Sequence, residues 1–117
     1  MKKIYHLGSC STCLRILKEL KPGNDFMLQE IKTEKITPGQ IDEMKKLAGT
    51  YEALFSRVAL KYRIWGLNDM QLSEKDYRKY ILEEYTFLKR PVIIIGKKIF
   101  IGNSKKTVAA AKEAIHP

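Results

Sequence analysis

Every segment of this chain that reads as a strand lies near one of its two ends, and a long helical stretch separates them. Lys3–Leu7 and Phe26–Ile31 are the first two strand segments, with a helical pattern over Ser11–Leu20 between them. The Lys-Pro-Gly-Asn turn at 21–24 ends that helix. Two strands joined through a helix should be parallel. At the other end, Val92-Ile-Ile-Ile95 is a short apolar strand. Gly96-Lys97-Lys98 turns it into a second one, Ile99–Ile101, and a final helix follows, capped by Asn103 or Ser104, with Val108, Ala111 and Ile115 inward. A βαβ half and a ββα half can complete one sheet only by pairing across the whole middle of the chain. The expectation is a four-stranded mixed sheet with helices on both faces, in a single α/β domain spanning 1–117 with a helical insertion at about 37–89.

The insertion carries its own signals. Thr37-Pro-Gly-Gln40 has a cap residue, proline at the first helical position and glutamine at the third, a capping box opening a helix to about Leu47. Tyr51, Leu54, Phe55 and Val58 repeat at helical spacing, and a further helix is expected from about Val58 to Trp65. Ser73-Glu-Lys-Asp76 opens another, with Tyr77, Ile81, Tyr85 and Leu88 on one face and Arg90-Pro91 as its stop.

The two cysteines, Cys10 and Cys13, sit where the first strand gives way to the first helix. Free backbone N–H groups and the positive end of the helix dipole converge there. That field stabilises a thiolate, which is the attacking form of a cysteine. Cys13 is one helical turn on, within reach for a disulfide. It also shares a stripe with Ile16, Leu17 and Leu20, so a resolving thiol and a buried core residue both fit it. A structural zinc needs four ligands. Only His6 and His116 are available to complete the set, and they stand at opposite ends of the chain, so no metal is expected.

Composition narrows the setting. A chain of 117 residues is long enough to bury a real core. It has no apolar run near membrane-spanning length. Tyr5, His6 and Gly8 interrupt any secretion-signal core after Met-Lys-Lys, so a cytoplasmic location is expected. A neighbouring cysteine pair in that compartment is more often catalytic or sensory than structural. The formal charge is +9, and residues 86–117 hold 7 Lys/Arg against 1 Asp/Glu. A basic third of this kind binds an anion, an acidic protein or nucleic acid, or is simply solvated. The lysines come in separated pairs, Lys97-Lys98 and Lys105-Lys106, with no interleaved aromatics. Most are therefore read as solvated surface, no direct nucleic-acid binding is expected, and Arg90 is the exception.

Three stretches taken together, Tyr5-His-Leu-Gly-Ser-Cys10-Ser-Thr-Cys13, Gly49-Thr50…Phe55-Ser-Arg57 and Lys89-Arg90-Pro91-Val-Ile-Ile, resemble the ArsC/Spx family of thioredoxin-like proteins. This family includes glutaredoxin-linked arsenate reductases and the Spx transcription regulators. The resemblance implies that Cys10 is the nucleophile and that Arg57 and Arg90 hold an oxyanion or stabilise the thiolate. An arginine's planar fork suits a tetrahedral oxyanion. His6 matches a histidine beside the nucleophile in that group, and a strand histidine satisfied by a backbone carbonyl is the competing reading. Ser11, Thr12 and Pro91 complete the expected substrate-binding set with His6. The resemblance also implies a cis bond at Arg90-Pro91.

Two departures shape the functional expectation. The reductases carry a third oxyanion-binding arginine near the start of the last helix, where this chain reads Ile101-Gly102-Asn103-Ser104. They also usually lack a cysteine at the position of Cys13. The leading expectation is a thiol oxidoreductase with Cys10 as nucleophile and Cys13 as resolving thiol. It would act on a small oxyanion or a disulfide, with no bound cofactor and with electrons from glutathione and glutaredoxin or from thioredoxin as redox partner. The alternative is an Spx-like regulator that binds RNA polymerase and uses the cysteine pair as a redox sensor.

Overall fold

A computed structural model describes all residues, 1–117. The chain forms two compact units, one made of Met1–Lys35 with Arg90–Pro117 and the other of Ile36–Lys89. No helix is long and apolar enough to cross a membrane.

The first unit is built on a sheet of β1 (Lys2–His6), β2 (Met27–Glu30), β3 (Val92–Ile95) and β4 (Lys98–Ile101), in the order β2-β1-β3-β4. Strand β1 pairs parallel with β2 and antiparallel with β3, and β3 pairs antiparallel with β4. The sheet is thus the mixed α/β sheet that the two ends of the sequence require. Its central strand β3 buries Val92, Ile93 and Ile94, which is why it reads as an unbroken apolar run instead of an alternating one. Helix α1 (Ser11–Leu20) turns Ile16 and Leu20 onto Ile4 and Ile93, and the C-terminal helix, Lys105–Ile115, adds Val108 and Ala111 to the same core. Lys21 takes the left-handed conformation at φ 47° to end α1, just before Pro22. Ser104 caps the last helix by accepting the Thr107 N–H. His116 Nε2 lies 2.8 Å from the carbonyl oxygen of Leu20, so the chain's end is tied to the end of α1.

The second unit holds α2 (Pro38–Ala48), α3 (Leu60–Ile64) and α4 (Glu74–Glu83), with short 3-10 turns at Glu52–Leu54, Leu67–Asp69 and Tyr85–Phe87. The C-terminal helix of the first unit is therefore α5. The capping box at Thr37 forms as the sequence predicts, and the helix that Ser73 opens has one as well. Thr37 and Gln40 bond each other's backbone reciprocally, and so do Ser73 and Asp76. Gly49, at φ 97°, closes α2 in a conformation that a side chain would disfavour.

Two helical expectations are corrected. The pattern Tyr51, Leu54, Phe55, Val58 is not one helical face: only Glu52–Leu54 forms a 3-10 turn, Phe55 is extended, and Val58 is 94% exposed. The helix opened by Ser73 stops at Glu83 and does not run on to Arg90-Pro91. Long-range backbone pairing overrides local periodicity at both places. Ser56 N–H donates to the Phe87 carbonyl, Lys89 N–H donates to the Leu54 carbonyl, and Phe55 and Leu88 form an antiparallel bridge. A helix cannot make these bonds, because its own ladder uses the same groups. The buried Glu84 carboxylate, ion-paired with Lys61, marks the breaking point.

A carboxylate also ties α2 to α4. Asp42 accepts from Arg78 Nε at 2.8 Å, Arg78 Nη2 at 3.2 Å and Tyr51 Oη at 2.6 Å. The hydrogen bond from Arg78, then that from Tyr51, holds its carboxyl down at about 2. A depressed carboxyl favours the folded state above its unfolded value of about 3.9, and that contribution fades as pH falls toward the folded value. Asp42→Asn should therefore melt lower than the wild type near neutral pH and lose less on acidification. Thermal melts between about pH 6 and pH 2 check this, and parallel acid limbs for the two proteins would contradict it.

Candidate active site

The loop between β1 and α1 places the cysteines. Cys10 is the N-cap of α1, with φ −93° and ψ 114°, and Cys13 lies in the first turn, fully buried. Both are free thiols. Burial pushes the Cys10 thiol up. The Cys13 N–H, the Cys13 thiol, the Thr12 N–H and the charge of Arg90 outweigh it, in that order, and bring Cys10 below its ordinary value. For Cys13 burial prevails and holds the thiol above its ordinary value. The Leu7 N–H offsets this in part, and the nearby Cys10 adds to it. One thiol is thus poised to ionise while its neighbour keeps its proton, the division of labour that a nucleophile and a resolving thiol require. At neutral pH, iodoacetamide should label Cys10 first, with Cys10 titrating below the ordinary thiol value and Cys13 above it. Equal, slow labelling of both would contradict this arrangement.

The loop is held by a residue the sequence reading missed. The Glu30 carboxylate, at the end of β2, accepts the Gly8 N–H at 2.8 Å, the Lys32 N–H at 2.7 Å and the Thr33 N–H at 2.8 Å. The Thr33 amide, set against a small burial cost, leads the effects that lower its carboxyl. Gly8 permits this close approach, since a Cβ there would lie 3.2 Å from Glu30 Cγ. The Cys10 N–H donates back to the Leu7 carbonyl at 3.1 Å, closing the turn that delivers the sulfur. Glu30 stands far from Cys10 in the chain, so no local motif signals it.

The other expected site residues divide between the units. Arg90 is half-buried in the first unit, and its charge acts on both cysteines. The Arg90-Pro91 bond is cis, as the resemblance implies, and the Pro91 carbonyl accepts the Gly102 N–H at 3.0 Å. Ser11 and Thr12 open α1 beside Cys10. His6 ends β1, half-buried, and its backbone carbonyl accepts the Ile31 N–H at 2.9 Å. Its Nδ1 is buried without a hydrogen-bond partner, so no backbone carbonyl satisfies that nitrogen. Arg57 belongs to the second unit, where its Nη2 donates to Glu52 Oε2 at 2.7 Å and to Tyr77 Oη at 2.8 Å. In the first unit the structure therefore brings together Cys10, Cys13, Thr12 and Arg90.

Comparison with known proteins gives the family and the fold. The model of the ArsC family matches residues 5–111. The chain belongs to the ArsC family. Among solved structures, an arsenate reductase from Vibrio cholerae superposes with a TM-score of 0.74 at 20% identity, covering 94% of this chain and 96% of that one. An arsenate reductase-related protein from Brucella melitensis superposes at 0.68 with 21% identity, covering 93% and 92%. Such identities carry the fold, and the fold is that of ArsC thioredoxin-like proteins. No curated protein matches this sequence. Membership in the ArsC family places Cys10, Cys13 and the Arg90-Pro91 bond inside the matched region, together with Arg57 and His6.

Proposed function

We propose that this protein is a thiol-dependent oxidoreductase of the ArsC family that works through the Cys10–Cys13 pair. The observation that carries the reading is the opposed setting of the two thiols: Cys10 favoured as thiolate at the helix N-terminus beside Arg90, Cys13 buried and held protonated. With a disulfide substrate, the Cys10 thiolate attacks one sulfur, forms a mixed disulfide and expels the other sulfur as a thiolate. Cys13 then loses its proton and attacks Cys10, which releases the second substrate thiol and leaves a Cys10–Cys13 disulfide. The substrate gains two electrons and two protons, and the pair loses them. A glutathione–glutaredoxin or thioredoxin system returns them.

Oxyanion reduction is the weaker half of the proposal. The resemblance assigns Arg57 and Arg90 to the oxyanion, but the stretch before α5 has no arginine to act as a third. There Gly102 turns at φ 94° and Ser104 is spent on capping α5. Lysines 105 and 106 cannot reproduce a planar bidentate grip. The test is one assay plate: arsenate and a small-molecule disulfide, each with the glutaredoxin and the thioredoxin system. The expected result is robust disulfide turnover and weak arsenate turnover. Turnover of neither, together with retention of RNA polymerase from a lysate, would replace the enzyme by a redox-sensing regulator.

A further inference from the structure

Arg57 is an expected oxyanion ligand whose guanidinium is already occupied. Both of its contacts fall on a single nitrogen. Nη2 donates to Glu52 Oε2 at 2.7 Å and to Tyr77 Oη at 2.8 Å, and the guanidinium carbon stands 5.5 Å from the centre of the Tyr77 ring. A guanidinium grips a tetrahedral oxyanion through two parallel N–H bonds, either from Nε with Nη2 or from Nη1 with Nη2. Each fork needs a hydrogen of Nη2, and Nη2 has only two. With Glu52 and Tyr77 both engaged, neither fork is free, and Arg57 can offer an anion only single bonds from Nε or Nη1.

We propose that Glu52 is an internal competitor for the anion-binding face of Arg57, so that it sets how strongly this chain takes a tetrahedral oxyanion. The proposal rests on the reading of Arg57 as an oxyanion ligand. The two partners of Nη2 differ in kind. Tyr77 is buried, and its hydroxyl and ring hold the guanidinium from the protein side. Glu52 is exposed, with its side chain 54% accessible, and it carries the charge that an incoming oxyanion would carry. An exposed ion pair of this kind is weak and is displaced readily. Release of Glu52 returns one Nη2 hydrogen, which restores one of the two forks while Tyr77 keeps the group in place. Glu52 thereby penalises anions that cannot displace it and leaves neutral substrates, including disulfides, untouched.

A double-mutant cycle on anion binding tests this. Inorganic arsenate, and inorganic phosphate as a non-reducible analogue, are titrated by calorimetry at low ionic strength into the wild type, Glu52→Gln, Arg57→Ala and the double variant. Glu52→Gln should bind both anions about two- to fivefold more tightly, the range that an exposed ion pair is worth. The gain should vanish in the Arg57→Ala background, because it acts through Arg57. A gain that persists without Arg57 would be a general charge effect and would overturn the proposal. Unchanged or weaker binding by Glu52→Gln, with Arg57→Ala still weakening binding, would overturn the competition while leaving Arg57 as a ligand. Arg57→Ala binding as well as the wild type would overturn the ligand reading itself and the competition with it. Far-UV circular dichroism of each variant confirms that the folded protein is the species titrated.

Discussion

Cys10→Ser should lose thiol turnover by about a thousandfold or more, on every substrate and with every electron donor, because no other group in the chain can form the covalent intermediate. Cys10 and Cys13 are the only cysteines, and the buried Cys13 is held above its ordinary value by burial and by its neighbour. It cannot take over the attack at neutral pH. Cys13→Ser should behave differently. Cys10 keeps the Thr12 amide and the Arg90 charge, so its thiolate still forms and still attacks. What fails is the second step. Oxidation of the wild type should give a species about 2 Da lighter, an internal disulfide that a dithiol reverses. Oxidation of Cys13→Ser should leave Cys10 as a sulfenic acid or a mixed disulfide, heavier than the starting protein. Intact-mass spectrometry of the three proteins separates these outcomes. Two free thiols persisting in oxidised wild type, with full turnover by Cys13→Ser, would make Cys13 a core residue and leave a single-cysteine mechanism.

The cysteine geometry was legible in the sequence because every signal for it is local. A strand end, a turn residue, the C-x-x-C spacing and an apolar stripe through Ile16 and Leu20 all lie within one short stretch. The same holds for the capping boxes at Thr37 and Ser73, where the partners are three residues apart. The sheet was legible for another reason: four strand-like runs in one small chain must find partners, and each connection allows few solutions. What could not be read were the bonds that cross long stretches of chain. The Glu30 carboxylate on Gly8, the Glu74 carboxylate on the Tyr51 and Glu52 N–H groups, and the hold of Tyr77 on Arg57 each span 20 residues or more. The Tyr85–Leu88 stretch was misread as helix for the same reason. Its apolar spacing fits a helix, but the Phe87 carbonyl accepts from Ser56 and the Lys89 N–H just beyond donates to Leu54.

The stretch 51–58 carries the largest expected effect on stability. Periodicity places Phe55 and Val58 on one face, whereas the fold separates them completely. Phe55 is fully buried, stacked on Phe87 at 5.2 Å between ring centres and tilted against Tyr77 at 4.9 Å, with Tyr62 at 6.0 Å. Phe55→Ala removes a full ring from that cluster and should cost about 3–5 kcal/mol, the transfer energy of the ring plus the cavity it leaves. The lost ring pairs account for part of this, at about 0.5–1.5 kcal/mol each in favourable geometry. A small domain has only about 5–15 kcal/mol in total, so the variant should be folded but close to its limit. Val58→Ala, at an exposed position, should change stability by no more than about 0.5 kcal/mol. Urea denaturation reports both. The single tryptophan, Trp65, lies 5.3 Å from Phe87 between ring centres, so its fluorescence follows this aromatic cluster directly. Similar losses for the two variants would mean that Val58 is packed after all and that the helical reading of 51–58 was right. A large loss for Phe55→Ala alone would show that burial in the aromatic cluster with Phe87 and Tyr77, and not the local apolar period, determines how this part of the chain packs.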